Sequence, residues 1–169
     1  MTTLTDIVIE DPRWDKVGLD DLAEMAAANV LNYLGFSAEG YEIAVLGCDD
    51  PRIADLNAEF RGKPTPTNVL SWPSYDLAPA QEGDTPHAPP PPDPIMGESL
   101  GDIAIAFETC AREADEAGKA MSDHVTHLVV HGVLHLLGYD HVRDRDATLM
   151  EGLETKILGK MGIADPYSR

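Results

Sequence analysis

The most informative stretch of this chain for fold and function is SDHVTHLVVHGVLHLLGYDH, residues 122–141. It holds five of the six histidines. Its apolar residues recur at helical spacing and stop at Gly138, which predicts a helix that ends there. His131 and His135 stand about one helical turn apart, so both imidazoles project from one face. Glycine readily turns the chain back, which could bring His141 to the same point. Three imidazoles with an open fourth position are typical of a catalytic zinc site.

The spacing H-x-x-x-H-x-x-G-x-x-H is that of the metzincin peptidases, with one difference. Those enzymes have a glutamate as general base where this chain has Gly132, and Val133 cannot replace it. A peptidase mechanism through that glutamate is therefore excluded. Without that general base, a metal ion at this point can still stabilise negative charge. This favours a substrate whose hydrolysis depends on charge stabilisation, such as a phosphodiester. The alternative interpretation is a histidine-rich helix face without a metal.

Length and composition predict one globular domain covering residues 1–169. No apolar run approaches the roughly 18 residues of a membrane span, and the first 20 residues do not look like a secretory signal. Two cysteines, Cys48 and Cys110, are too few for a secreted disulfide scaffold, so we expect a cytoplasmic protein in which both are small buried residues. With 30 acidic and 12 basic residues the net charge is −18, which argues against unaided binding to nucleic acid.

Strand-like and helical segments alternate early in the chain, and helices dominate later. This order predicts a single layered α/β (α+β) domain with a small mixed sheet of about four strands, packed with about five helices. The metal site would lie on the late central helix. The predicted strands cover 5–10, 41–46, 67–72 and 102–107, and the predicted helices cover 19–34, 50–60, 108–117, 122–137 and 144–161.

A proline-rich insertion interrupts this order at about residues 75–98. Neither lysine nor arginine occurs from Pro64 through Ala111. Such a composition favours an extended, mobile segment. It is either a tolerated surface insertion, which is the simpler interpretation, or a docking arm or flap beside the active site.

Four segments resemble the YbeY family of bacterial single-strand-specific endoribonucleases. They are LNAEFRGKPTPTNVLSWP (56–73), LGDIAIA (100–106), HLVVHGVLHLLGYDH (127–141) and DRDATLMEGLETKILGKMGI (144–163). The proline-rich insertion departs from shorter family members, in which this link is brief. The resemblance implies an enzyme that matures small-subunit (16S) ribosomal RNA at its 3′ end and acts in ribosome quality control. It also implies, as partners, single-stranded ribosomal RNA, the small ribosomal subunit with a ribosomal protein, and a ribosome-associated GTPase.

The resemblance further implies one Zn²⁺ per chain and an essential arginine. The zinc ligands would be His131, His135 and His141, and the catalytic residues would be Arg61, His131 and His135. Independently of the family, the guanidinium of Arg61 can hold a phosphate by two hydrogen bonds and stabilise charge in a transition state. The alternative for Arg61 is a solvated cation at a helix end.

Three further residues are candidates for contacts with the substrate or with the ligand histidines. Asn68 could line the cleft or only serve strand and turn hydrogen bonds. His127 could support the site or pack in the helix interface. Asp140 could orient a histidine or cap the turn that follows Gly138.

Two other functions remain open at this stage. One is a zinc hydrolase of another substrate, such as a peptide or a small ester, which would not need Arg61. The other is a non-catalytic ribosome assembly factor with a structural zinc, which would need a fourth protein ligand. The net charge predicts weak general affinity for RNA, with delivery to the substrate through protein partners.

Overall fold

The computed structural model describes residues 4–167. The strands are β1 (Thr5–Ile9), β2 (Tyr41–Cys48), β3 (Val69–Pro73) and β4 (Glu98–Ala106), and the helices are α1 (Arg13–Val17), α2 (Leu19–Tyr33), α3 (Asp50–Arg61), α4 (Phe107–Ala117), α5 (Met121–Leu136) and α6 (Asp144–Lys160). The predicted α/β class and four-stranded sheet are confirmed. Helix α1 was not predicted, because five residues are too few to show a periodic pattern.

The sheet has the strand order β1-β2-β4-β3 and is mixed. Strands β1, β2 and β4 run parallel, whereas β3 pairs antiparallel with β4 and forms one edge. Such an edge strand presents backbone groups that the sheet leaves unpaired. The edge formed by β3 borders the cleft described below.

Successive residues of β4 point to opposite faces of the sheet, which divides the core into two layers. Ile103 and Ile105 belong to the larger cluster, which also contains the apolar faces of α2, α5 and α6. Ala104 and Ala106 belong to a smaller cluster beneath α3. Helix α5 is therefore packed on the sheet and covered by neighbouring helices, so its histidines have a rigid support.

All four strands end within two residues of the prediction, and two of them begin at a different residue. Strand β4 begins at Glu98, before the predicted residue 102, because the end of the insertion pairs with β2 through the Tyr41–Glu98 register position. Strand β3 begins at Val69, since Asn68 precedes the ladder and its side chain accepts the Val69 N–H at 2.6 Å.

The prediction for the two cysteines is confirmed. Cys48 and Cys110 are fully buried with free thiols. Burial raises the pKa of Cys48 to about 12, so its thiol is protonated and unreactive at neutral pH.

The connection from β3 to β4 contains the proline-rich insertion. Within it, one isolated bridge joins Asp93 to Gly97. Its mobility stays a prediction. Within residues 4–167, no helix combines the length and apolar character that a membrane crossing requires.

Candidate metal centre and cleft

Three histidine rings meet at the C-terminal end of α5. The ring centroids of His131 and His135 lie 4.5 Å apart, and their Nε2 atoms are 3.0 Å apart. The His141 ring lies 5.2 Å from the first and 5.1 Å from the second. One ligand nitrogen from each residue falls within 4.8 Å of the others, so the three histidines could hold one metal ion.

Gly138 lets the chain reverse direction after α5, so that His141 can approach His131 and His135. Gly138 has φ +99°, a conformation that residues with a side chain rarely adopt. A Cβ atom at this position would also lie 2.8 Å from the backbone carbonyl of Leu77. Both the backbone angle and the close approach require glycine here.

The histidine set fits a metal ion chemically as well as geometrically. Burial, together with the neighbouring His131, lowers the pKa of His135 to about 4. His135 is therefore neutral at neutral pH and keeps a ring lone pair for a ligand bond. A set of three imidazoles suits zinc and the later first-row divalent ions.

A buried glutamate on α6 supports the site and was missed by the sequence reasoning. The Glu154 carboxylate accepts a hydrogen bond from Nε2 of His127 at 2.7 Å and lies 3.4 Å from Nδ1 of His131. The Tyr167 hydroxyl donates to the same carboxylate at 3.1 Å. A carboxylate at Nδ1 leaves Nε2 of His131 directed at the other ligand histidines. The available signal was a glutamate on the buried stripe of α6, between Met150 and the Ile157–Leu158 pair.

Glu154 is charged in spite of its burial. Desolvation alone would raise its pKa, but hydrogen bonds from His127 and His131 outweigh that effect and hold the pKa at about 2. Burial and the adjacent Glu154 raise the pKa of Tyr167, which therefore stays a hydrogen-bond donor. The support of His131 is thus anionic throughout the neutral range.

Asp140 lies beside the ligand histidines and principally caps the turn. Its Oδ1 accepts the backbone N–H of His141 at 2.7 Å. The same oxygen lies 4.0 Å from Nδ1 of His135 and 3.9 Å from Nδ1 of His141, which is beyond hydrogen-bond distance.

The histidines line a cleft of about 1180 Å³ together with residues from the α3–β3 connection. Its lining includes every residue that the sequence singled out for the site: Arg61, Asn68, His127, His131, His135, Asp140 and His141. Within the described chain, the lysine and arginine side chains of this lining are those of Arg61 and Lys63. These cations face into a cleft that an anionic substrate could enter.

Arg61 is the last residue of α3, where its cation also interacts favourably with the helix dipole. Its Nη2 donates to the backbone carbonyl of Ser71 on the edge strand at 3.0 Å. This hydrogen bond fixes the guanidinium. The side chain stays exposed, and its remaining N–H groups can bind a phosphate.

Asn68 is held at the beginning of β3 by a side-chain network. Its amide nitrogen donates to Glu113 at 3.1 Å, and the same Glu113 oxygen lies 3.0 Å from Nε2 of His124. The Asn68 side chain therefore serves the strand start and also borders the cleft.

The position of the metzincin general base is tightly packed. A Cβ atom on Gly132 would lie 3.0 Å from Cδ1 of Ile103, because α5 packs closely against β4 at this point. A glutamate here would require Ile103 to shift.

Comparisons of the sequence with a family model and with known proteins all indicate the same family. A model of the family described as Endoribonuclease YbeY matches residues 8–162. A Ruegeria pomeroyi protein named Endoribonuclease YbeY is 63% identical over 163 residues, covering 96% of this chain and 97% of that protein. A protein of the same name from Cereibacter sphaeroides is 57% identical over 167 residues, covering 99% and 100% of the two chains.

A solved structure shares the fold. The solution structure of TM1509 from Thermotoga maritima aligns with a TM-score of 0.50 at 23% identity and covers 98% of this chain and 99% of that one. At this level of identity the likeness concerns the fold alone.

Proposed function

The chain belongs to the YbeY family of endoribonucleases, and from that premise we propose that it cuts phosphodiester bonds in single-stranded ribosomal RNA. One observation carries this assignment: three histidines suited to a metal ion and the exposed Arg61 line the same cleft. This combination of charge stabilisation and phosphate binding suits a hydrolase acting on RNA.

The metal in this proposal is one Zn²⁺ per chain, held by His131, His135 and His141. When bound, such an ion supplies Lewis acidity that stabilises negative charge on a phosphoryl oxygen. The protein prepares for it with the lowered pKa of His135 and with the Glu154 carboxylate behind His131. The first feature keeps His135 neutral, and the second orients the ring of His131.

Arg61 binds the substrate phosphate in this proposal. Its hydrogen bond to Ser71 orients the guanidinium along the edge strand, and Lys63 adds a second positive charge to the same rim. A planar guanidinium holds two phosphate oxygens at once and gains strength as charge develops on them. His127 and Asn68, each fixed by a carboxylate on a neighbouring helix, complete the wall that contacts the substrate.

The biological setting is proposed from the family. The enzyme matures the 3′ end of small-subunit ribosomal RNA in the cytoplasm and acts in ribosome quality control. It works as one domain over residues 1–169, with partners that include a ribosomal protein of the small subunit and a ribosome-associated GTPase. The net charge of −18 supports delivery through such partners, because the surface as a whole repels RNA.

The two other functions fit the site less well. A peptidase would need a general base where Gly132 packs against Ile103. A structural zinc would need a fourth protein ligand, and in the part of the chain that the structure describes the ligand group comprises three histidines.

Metal analysis paired with RNA cleavage tests the proposal. We expect about one zinc per chain and cleavage of a single-stranded oligonucleotide but not of casein. His131→Ala should lose both the metal and the cleavage. Cleavage of casein with no action on RNA would contradict the assignment, and so would full RNA cleavage by metal-free protein.

A further inference from the structure

His141, the third histidine of the metal centre, is not held by a helix. The side chain of His141 is 54% exposed, against 21% for His131 and 20% for His135. It lies in the connection between α5 and α6, outside regular secondary structure. A ligand on an irregular segment costs conformational entropy to order unless neighbouring chain fixes that segment. The neighbouring chain here is the first half of the proline-rich insertion, residues 77–87.

The first contact lies at the turn that returns His141 to the site. The buried Leu77 places its carbonyl against Gly138, and Pro86 approaches the same glycine from the insertion. The N–H of His87 donates to the Leu77 carbonyl at 2.9 Å, which closes residues 77–87 into a loop. The turn after α5 is thus packed against a closed loop.

The second contact involves an arginine two positions after His141. Nη2 of Arg143 donates to the Pro79 carbonyl at 3.1 Å, and Nη1 donates to the Ala80 carbonyl at 3.3 Å. Its Nε donates to Asp146 at 2.5 Å. One guanidinium therefore joins the insertion to the first turn of α6.

The third contact caps α6. The residue at the N-cap position, Arg143, provides no side-chain acceptor. The insertion provides one instead, since Glu82 accepts the backbone N–H of Arg145 at 2.8 Å. Asp146 in turn accepts the Gly83 N–H at 2.8 Å. Carboxylates near a helix N-terminus pair with N–H groups that the helix leaves free.

The second half of the insertion is anchored elsewhere. The Tyr41 hydroxyl donates to the Pro90 carbonyl at 2.8 Å, and Gly40 accepts the Glu98 N–H at 2.9 Å. The Asp93 side chain accepts the N–H groups of Ile95 and Met96 at 2.8 Å. The contacts of Gly40 and Tyr41 lie at the beginning of β2, and those of Asp93 lie within the insertion itself. Variants of the first and second halves can therefore be compared.

We propose that residues 77–87 are a positioning element of the metal centre, which fixes the His141 segment through Arg143 and Asp146 and so sets the affinity for the metal ion. This inference rests on the proposed metal function of the three histidines. Arg143 and Asp146 are positioning residues, since they act through the backbone that carries the third ligand.

Metal binding by the whole chain provides the test, with no RNA present. Zn²⁺ affinity is measured by competition with a chromophoric chelator for wild type, Asp146→Ala and Arg143→Met. Asp93→Ala is the matched control, because it removes the same kind of side-chain-to-backbone hydrogen bonds from the second half. Visible absorption of the Co²⁺-loaded proteins reports the coordination directly, with His141→Ala as the reference for loss of the third ligand.

We expect Asp146→Ala and Arg143→Met to weaken Zn²⁺ binding about tenfold or more and to shift the Co²⁺ spectrum toward that of His141→Ala. Asp93→Ala should stay within about twofold of wild type. If Asp146→Ala does not fold, Arg143→Met, at a partly exposed position, decides the question.

Wild-type affinity and spectrum in the folded variants overturn the inference, and so does an equal loss in Asp93→Ala. A wild-type protein that binds neither ion contradicts the proposed metal function itself, and the inference with it. Normal metal binding by a wild type that cleaves no RNA would contradict the enzymatic assignment alone.

Discussion

The Glu154 carboxylate lies 3.4 Å from Nδ1 of His131, and it is the buried anion behind the metal centre. We predict that Glu154→Gln weakens Zn²⁺ binding about 10- to 100-fold, because the neutral amide no longer favours the tautomer that presents Nε2. Competition titration measures the change. Glu151→Gln, three positions earlier on α6, is the matched control and should bind zinc as wild type does. Equal Zn²⁺ affinities for Glu154→Gln and wild type would show that the Glu154 charge does not contribute to metal binding.

The positive φ of Gly138 leads to a prediction on stability. Gly138→Ala should lower the free energy of unfolding by about 2–4 kcal/mol, from the unfavourable backbone angle together with the contact to Leu77. Urea denaturation measures this change. Gly152→Ala, at a helical position of α6 with open space around it, should instead stabilise the protein by about 0.5–1 kcal/mol. A neutral Gly138→Ala would show that the turn tolerates a side chain.

Glu24 leads to a prediction on pH dependence. Burial raises its pKa, but hydrogen bonds from Thr5 and from the Leu4 N–H outweigh this effect and lower the pKa overall. A lowered folded-state pKa contributes stability above the unfolded value of about 4.3, and that contribution is lost as the pH falls through the folded value.

Below about pH 4.3, the free energy of unfolding should therefore fall more steeply with decreasing pH for wild type than for Glu24→Gln. Denaturation curves from pH 6 to pH 3 give the free energy of unfolding of both proteins. The difference between the two values isolates Glu24, because the other carboxylates titrate in both proteins. Parallel curves would show that the Thr5 contacts do not perturb Glu24.

The acidic surface leads to a prediction on RNA affinity. For an arbitrary single-stranded oligonucleotide we expect a Kd above about 100 μM at 150 mM salt, the weak end of nonspecific binding. Arg61 and Lys63 are the lysine and arginine side chains of the described cleft lining, so the slope of log K against log salt should be no steeper than about −1.5. Fluorescence anisotropy measures both quantities. Micromolar affinity with a steep slope would contradict delivery by partners.

The cluster of three histidines was the most predictable part of this protein, because its geometry is local. Two histidines one turn apart on an apolar helix, a glycine and a third histidine define the arrangement within a few residues of each other. Arg61 gained its role from the resemblance to a family. Its position near the histidines depends on the antiparallel addition of β3 to the sheet, which no local pattern specifies.

The contacts that sequence reasoning missed join distant segments. Glu154 meets His127 across 27 positions, and Gly83 meets Asp146 across 63. Hydrophobic periodicity predicts which face of a helix a residue occupies, but it does not predict which residue of another segment packs against it. The proline-rich composition of the insertion predicts weak secondary structure, and the docking of residues 77–87 depends on partners in α6 that composition does not indicate.

We expect phosphate binding by Arg61, in the cleft that the three histidines line, to drive RNA cleavage. The most direct measurement is kcat/KM on a single-stranded RNA for wild type, Arg61→Glu and Arg52→Glu, with folding checked by circular dichroism. Arg52 is the matched control, since it is a half-exposed arginine of the same helix and pairs with Glu10. We predict a loss of at least about 100-fold for Arg61→Glu and wild-type activity for Arg52→Glu. Wild-type kcat/KM in a folded, metal-loaded Arg61→Glu protein would contradict the account.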